Sequence, residues 1–238
     1  MASEQPAAEA IHLTRAFAAG GHRVPALDDV SLTVAAGEIV AIMGPSGSGK
    51  STLVHLLAGL DEPDAGAARI AGVDWRRLRG DGRARFRRRT CGFIGQGMTL
   101  LPQATAAENV ALPLVLDGTD PARRGSRVAA VLERVGLAEH GAKLPDQLSG
   151  GEQQRVAIAR ALVAEPAVIL ADEPTGSLDS ETGDAVTRLL TGAALERACA
   201  VVLVTHDPAV AAYAGRLVIL HSGRLEGDHR QRHLRAAR

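Results

Sequence analysis

Eight consecutive residues, Gly44-Pro45-Ser46-Gly47-Ser48-Gly49-Lys50-Ser51, follow the pattern G-x-x-x-x-G-K-[ST] without a mismatch. No other feature limits the fold of this chain so strongly. With 26 glycines, two lysines and 22 serines and threonines among 238 residues, about 0.002 such matches are expected by chance. Residues 38–43 before it read as a buried strand, and residues 50–60 after it space their apolar side chains as a helix does. A strand that turns through glycines into a helix converges successive backbone N–H groups on one point, where the helix dipole also favours an anion. The pattern therefore describes a phosphate cradle, in which Lys50 reaches β- and γ-phosphates and the Ser51 hydroxyl is a ligand for Mg²⁺. Only one other lysine, Lys143, occurs among the 27 basic residues. A compact ammonium suits a point-charge role that a planar guanidinium fills poorly.

The rest of the chain supplies a matching architecture. Residues 10–14 and 30–34 read as short alternating strands separated by a Gly20-Gly21 turn, and residues 91–95 as another strand. Between about 100 and 163 the pattern turns helical. Thr105 with Glu108 three residues on reads as a capping box, residues 127–135 form a helix ended by Gly136, and residues 152–163 form another. Strands return at 167–171, 199–205 and 217–220 with helices between them. Strand–helix alternation around a helical insertion predicts an α/β nucleotide-binding fold.

The strand at 167–171 runs into Asp172 and Glu173. Successive strand residues point to opposite faces, so the two carboxylates divide labour. Beside a phosphate cradle, Asp172 supports Mg²⁺ and Glu173 accepts a proton from an attacking water.

Composition removes other readings. Equal numbers of basic and acidic residues, 27 each, argue against a dedicated nucleic-acid binder. Five aromatic residues, Phe17, Trp75, Phe86, Phe93 and Tyr213, are too few for a base-stacking platform. Cys91 and Cys199 are isolated thiols, as expected in a reducing cytosol. The start lacks a basic-then-apolar signal pattern, and no apolar run approaches the 18 residues or so that a membrane span needs. Eight arginines between Arg76 and Arg89 read as a solvated helical face, with contact to anionic headgroups as the alternative. A GTPase is disfavoured because the guanine-reading N-K-x-D needs a lysine, and Lys143 lies in Ala142-Lys143-Leu144.

The segment Leu148-Ser149-Gly150-Gly151-Glu152-Gln153-Gln154-Arg155, opening a helix, closely resembles the signature of the ABC ATPases. Other elements of that family follow in order: Gln96 matches the Q-loop, Asp172 and Glu173 the Walker B pair, Ser177-Leu178-Asp179 the D-loop, and His206 in Val204-Thr205-His206-Asp207 the switch histidine. The resemblance spans residues 10–225. The stretches 45–53, 58–61, 105–110 and 171–180 are similar to the lipoprotein-releasing and macrolide-exporting subgroup, which includes the cell-division ATPase. There are two departures. Gly95 and Gly97 flank Gln96 where the family usually has an aromatic neighbour, and Phe17 stands where the adenine-stacking residue is normally tyrosine.

The resemblance implies a P-loop NTPase with a RecA-like core, an antiparallel β subdomain and an α-helical insertion carrying the signature. It implies one domain over 1–238: residues 10–98 and 165–225 as nucleotide-binding core and β subdomain, 99–164 as helical subdomain, and 226–238 as a basic tail. It further implies ATP and Mg²⁺ as cofactors. Gly44 to Thr52 and Phe17 would bind nucleotide on one subunit, and Ser149, Gly150, Gly151, Glu152 and Asp179 on the other. Ser51, Gln96 and Asp172 would hold Mg²⁺, and Glu173, His206, Gln96 and Lys50 would carry the chemistry. The expected assembly is an ATP-dependent, head-to-tail homodimer on the inner face of the cell membrane beneath an integral-membrane permease, to which the segment from Gln96 to Thr105, with Met98, Leu100, Leu101 and Pro102, couples. A transmembrane signalling relay of the cell-division type is the alternative. Soluble DNA-repair and translation ATPases of the family carry long insertions or two cassettes, for which 238 residues leave no room.

Overall fold

A computed structural model describes residues 5–97 and 100–231. The chain opens with a hairpin, β1 (Ala8–Ala19) and β2 (His22–Val34), and then enters the main sheet with β3 (Ile39–Met43). After α1 (Lys50–Leu57), β4 (Ala65–Ile70) and β5 (Val73–Asp74) return to the hairpin, completing a four-stranded antiparallel sheet of order β2-β1-β4-β5. Helix α2 (Gly80–Thr90) leads into β6 (Cys91–Ile94). Three helices follow, α3 (Ala106–Leu116), α4 (Pro121–Arg134) and α5 (Gly150–Leu162). The chain then runs β7 (Val168–Asp172), α6 (Ser180–Leu195), β8 (Ala200–Val204), α7 (Pro208–Ala211), β9 (Arg216–His221) and β10 (Arg224–Arg230). The main sheet has the order β10-β9-β3-β8-β7-β6, parallel except for β10.

Alternation along the central strands divides the core in two. Ile39 and Ala41 of β3, Ile169 and Ala171 of β7, and Val201 and Leu203 of β8 face the cluster formed with α3, α4, α5 and α6. Val40, Ile42, Val168, Leu170, Val202 and Val204 face the opposite cluster, which holds α1 and the antiparallel sheet. All five residues of β7 and of β8 are buried, as expected for parallel strands covered on both faces. Burial also pushes the Cys91 thiol up to about 12 and Cys199 to about 11, so both act as small apolar core groups.

Several elements differ from the expectations above. The first two strands are far longer than 10–14 and 30–34, because register shifts at three places in the β1–β2 pairing break the period-two pattern. Helix α1 stops at Leu57 rather than Leu60: Gly59 turns the chain at φ +63, against the Trp75 indole, which donates to Leu57 O at 2.8 Å. Helix α4 starts at Pro121, six residues before 127, where the Asp120 carboxylate accepts from Ala122 N and Arg123 N. Residues 226–230 are not tail but most of an edge strand, joined to β9 through Ser222 and Gly223 at positive φ; residues 232–238 lie outside the described residues. The arginine run is not simply a solvated face. Arg83 pairs with Glu62, Arg89 with Asp117 and Arg76 with Asp74, while Arg87 donates to Gly59 O and Arg88 to Leu116 O. The contacts of Arg83, Arg87, Arg88 and Arg89 latch α2 to its neighbours, while Arg76 closes the turn before it.

Candidate functional site

The strand registers bring the chemistry-bearing residues to one edge. Ile42 of β3 is level with Val204 of β8, Val204 with Asp172 of β7, and Ala171 with Ile94 of β6. The loops that follow these strands therefore emerge side by side at their carboxyl ends, where open α/β sheets bind ligands. They carry Gly44–Ser51, His206, Glu173 and Gln96.

The first loop is shaped by sterics. A Cβ on Gly49, at φ +101, would lie 2.2 Å from Ala26 O, and one on Gly44 would lie 1.9 Å from Leu220 O. No other residue fits at either point. Lys50 is buried and folds over the loop, its Nζ donating to Gly44 O at 2.8 Å and Pro45 O at 2.9 Å. Helices α3, α4, α5 and α6 each begin with a side-chain cap, from Thr105, Asp120, Ser149 and Asp179. Helix α1 begins at Gly49 with no such cap and no acidic residue in its first turn, which leaves its N–H groups and dipole for an external anion. Ser48 Oγ is buried there without a partner among the described residues, while Ser46, Gly47 and Ser51 are exposed and Thr52 half-buried.

Across the edge, Asp172 is buried and its Oδ1 has no partner among the described residues. A buried carboxylate oxygen left unpaired is costly unless a ligand completes it. Glu173 takes the left-handed conformation, φ +49, with its N–H held by Val204 O at 3.0 Å. That turn carries its carboxylate off the strand to within 2.8 Å of His206 Nδ1. Glu173 is largely buried and His206 exposed, so the imidazole covers the carboxylate from the solvent side.

Phe17 is 41% exposed on β1 and pairs with Val24; two residues on, Ala26 packs under Gly49. The Arg15 guanidinium lies over its ring at 4.8 Å and is anchored by Asp61 and Asp64. Sequence reading missed Arg15, although a strand puts residues 15 and 17 on one face. Gln96 is exposed in the bend after β6, and Met98 lies outside the described residues.

The signature segment is elsewhere. Ser149 caps α5 in a box: its N–H donates to Glu152 Oε2 at 2.7 Å, and its hydroxyl accepts from Glu152 N at 3.3 Å. Hydrogen bonds from Ser149 to the Glu152 carboxylate, the backbone N–H first and the side chain second, hold that carboxyl below the usual glutamate range. A Cβ on buried Gly151 would meet Thr182 Cγ2 at 2.5 Å, so α5 and α6 start in contact. Asp179 caps α6, accepting from Thr182 N at 3.0 Å, which lowers its carboxyl as well. Gly150 is half-buried beside them. Helix α5 packs on one face of the main sheet and α1 on the other. Among the described residues, no hydrogen bond or ion pair joins 149–152 to 44–52.

The ABC transporter family model matches residues 27–176, from the strand under the phosphate loop through the acid pair. The chain belongs to the ABC transporter family. It is 48% identical over 223 residues, 94% of its own length and 96% of the relative's, to the lipoprotein-releasing system ATP-binding protein LolD of Bordetella pertussis. It is 49% identical over 233 residues to the macrolide export ATP-binding/permease protein MacB of Burkholderia pseudomallei. That match covers 98% of this chain but 35% of the relative, so the chain spans about a third of that protein's length. Among solved structures it resembles the dimeric ATP-binding cassette MJ0796 in a post-hydrolysis state bound to ADP and Pi, with a TM-score of 0.86 and 39% identity over 94% of this chain and 99% of that one. The expected family and α/β cassette fold are thus both found.

For an ABC cassette the donor set at this edge fits a divalent cation. Among the described residues no three His, Cys, Asp or Glu side chains gather around one point. The unpaired Asp172 Oδ1 and the Ser51 hydroxyl are hard oxygen donors, and Mg²⁺ is usually held by one or two protein oxygens with the rest from phosphate and water.

Proposed function

We propose that this chain is the ATP-binding and hydrolysing subunit that energises a membrane export complex, and that its working form is a head-to-tail pair with two ATP molecules between the copies. The observation that carries the reading is the separation of two half-sites within one chain. The uncapped phosphate loop, Asp172, Glu173 and His206 share one sheet edge, whereas Ser149 opens a helix packed on the opposite face from α1. A second copy supplies what one copy cannot bring to its own nucleotide: the outward hydroxyl of Ser149, the α5 N-terminus and the D-loop residue Asp179.

In this reading Lys50 and the N–H groups of Gly47 to Thr52 bind the phosphates, and Phe17 offers its open ring face to adenine. Asp172, Ser51 and Gln96 would hold Mg²⁺, which would supply positive charge against the phosphate oxygens. Glu173 takes the proton from the attacking water, and His206, in contact with its carboxylate, orients it towards the γ-phosphate. Catalysis is mostly positioning and charge stabilisation.

Coupling to a permease is supported by a cavity of about 200 Å³ between α2, β6, α3 and α5, lined by Leu60, Phe93, Leu112, Pro113 and Leu116 together with Arg87, Arg88 and Arg160. Leu60, Leu101 and Leu116 are exposed. Leu100, in contrast, packs against the helical core, so the docking role expected for residues 96–105 falls to Leu101 with the cavity. No helix among the described residues is long and apolar enough to cross a membrane, which suits a peripheral subunit at the inner face. The test is co-purification with a co-expressed candidate membrane subunit. Leu101→Ser combined with Leu116→Ser should lower recovery of that subunit at least tenfold, with the melting temperature unchanged. Full recovery would remove the docking assignment.

A further inference from the structure

The Glu152 carboxylate has two oxygens, and the capping box uses one of them. Oε2 accepts from the Ser149 N–H. Oε1 lies 3.0 Å from Nε2 of His140, in the one-turn 3₁₀ helix Ala138–His140. Both side chains are about three-quarters buried, 26% and 22% exposed, so the contact is sheltered from bulk water. The other ring nitrogen, Nδ1, is buried without a partner among the described residues. Burying an unpaired ring nitrogen is unfavourable, and an apolar side chain would avoid it. What histidine alone brings here is Nε2 on the carboxylate.

The segment that carries His140 is itself anchored. Leu137 is fully buried. Lys143 O and Gly141 O accept from Ala106 N and Ala107 N, the opening N–H groups of α3, at 2.8 and 2.9 Å. Helix α3 follows directly on the segment that begins at Gln96. His140 thus stands between the start of α3 and the start of α5.

We infer that His140 is a positioning residue for the signature serine: it pins the oxygen of Glu152 that Ser149 leaves free, and thereby fixes the Ser149 hydroxyl pointing out of the helix. The hydroxyl oxygen accepts from Glu152 N, and its single proton, shared with the Glu152 carboxylate, turns to a phosphate oxygen when a second copy brings one. If the carboxylate swings away, the box opens and the serine rotor is lost. The inference rests on the head-to-tail reading above.

The test uses the full chain in the Glu173→Gln background, where bound ATP persists. The readouts are the ATP concentration that half-converts monomer to dimer, by light scattering, and binding of a fluorescent ADP to the monomer. His140→Ala should raise the dimerising ATP concentration by about tenfold, the scale of one charge-assisted contact. ADP binding should stay unchanged, because among the described residues no hydrogen bond or ion pair joins His140 or 149–152 to the phosphate loop. His140→Gln, which restores an N–H donor at similar reach, should return dimerisation to within about threefold of the parent. The inference is overturned if His140→Ala dimerises at the parent's ATP concentration, if glutamine rescues nothing, or if dimerisation and ADP binding fall together as they would for a merely structural residue. A parent that stays monomeric at saturating ATP overturns the head-to-tail reading itself, and this inference with it.

Discussion

His206 Nδ1 lies 2.8 Å from Glu173 Oε1, which ties the loop after β8 to the loop after β7 across two neighbouring strands. Glu173 is held by strained backbone at φ +49 and largely buried, whereas His206 is mostly exposed. The carboxylate is therefore held by backbone and burial, and the imidazole covers it from the solvent side.

His206→Ala removes the imidazole that touches the proposed base Glu173 and leaves the phosphate loop intact. Turnover should fall by about 10²–10³, within the range for one positioned acid–base group. Affinity for ATP, measured by equilibrium binding without Mg²⁺, should stay within about threefold, since binding energy comes from the phosphate contacts.

Gly151→Ala places a methyl where Thr182 Cγ2 already sits, 2.5 Å from the new Cβ. Overpacking of this kind costs about 1–3 kcal/mol. Denaturant titration should show that loss in the single variant, and Thr182→Ser, which removes the clashing methyl, should recover most of it. Equal losses with and without Thr182→Ser would mean that the crowding lies elsewhere.

Asp74 is buried and caps the turn at Trp75, and the Arg76 side chain, ahead of its backbone N–H, holds its carboxyl below the usual aspartate range. A carboxyl lowered on folding adds stability that is complete above its unfolded value, about 3.9, and is lost as pH falls through the folded value. The melting temperature of the parent should exceed that of Asp74→Asn at pH 7 by the equivalent of about 1 kcal/mol. The gap should close below about pH 4.

What could be read from the sequence was local. The phosphate loop, the box of Thr105 with Glu108 and the acid pair each rest on residues within a few positions of one another, where backbone geometry dictates residue type. What escaped was carried by distant partners. Bulges hid the length of β1, whose alternation restarts three times. The strand β10 has no buried residue and is held instead by its β9 ladder and by Arg216 on Asp228. The arginines of α2 look like a polar face until Glu62, Asp117 and the carbonyls of Gly59 and Leu116 are placed beside them. The same holds at the site, where Arg15 over Phe17 and His140 on Glu152 became visible only once the chain was folded.

The most direct test of the account is phosphate release from Mg-ATP as the concentration of the chain is varied. If each site is built from the phosphate loop of one copy and Ser149 of another, the rate should climb faster than linearly with protein while the chain is mainly monomeric. In Glu173→Gln it should lie about 10²–10⁴ below the parent at every concentration. A rate per chain that is constant throughout the monomeric range, or a Glu173→Gln rate within tenfold of the parent, would contradict it.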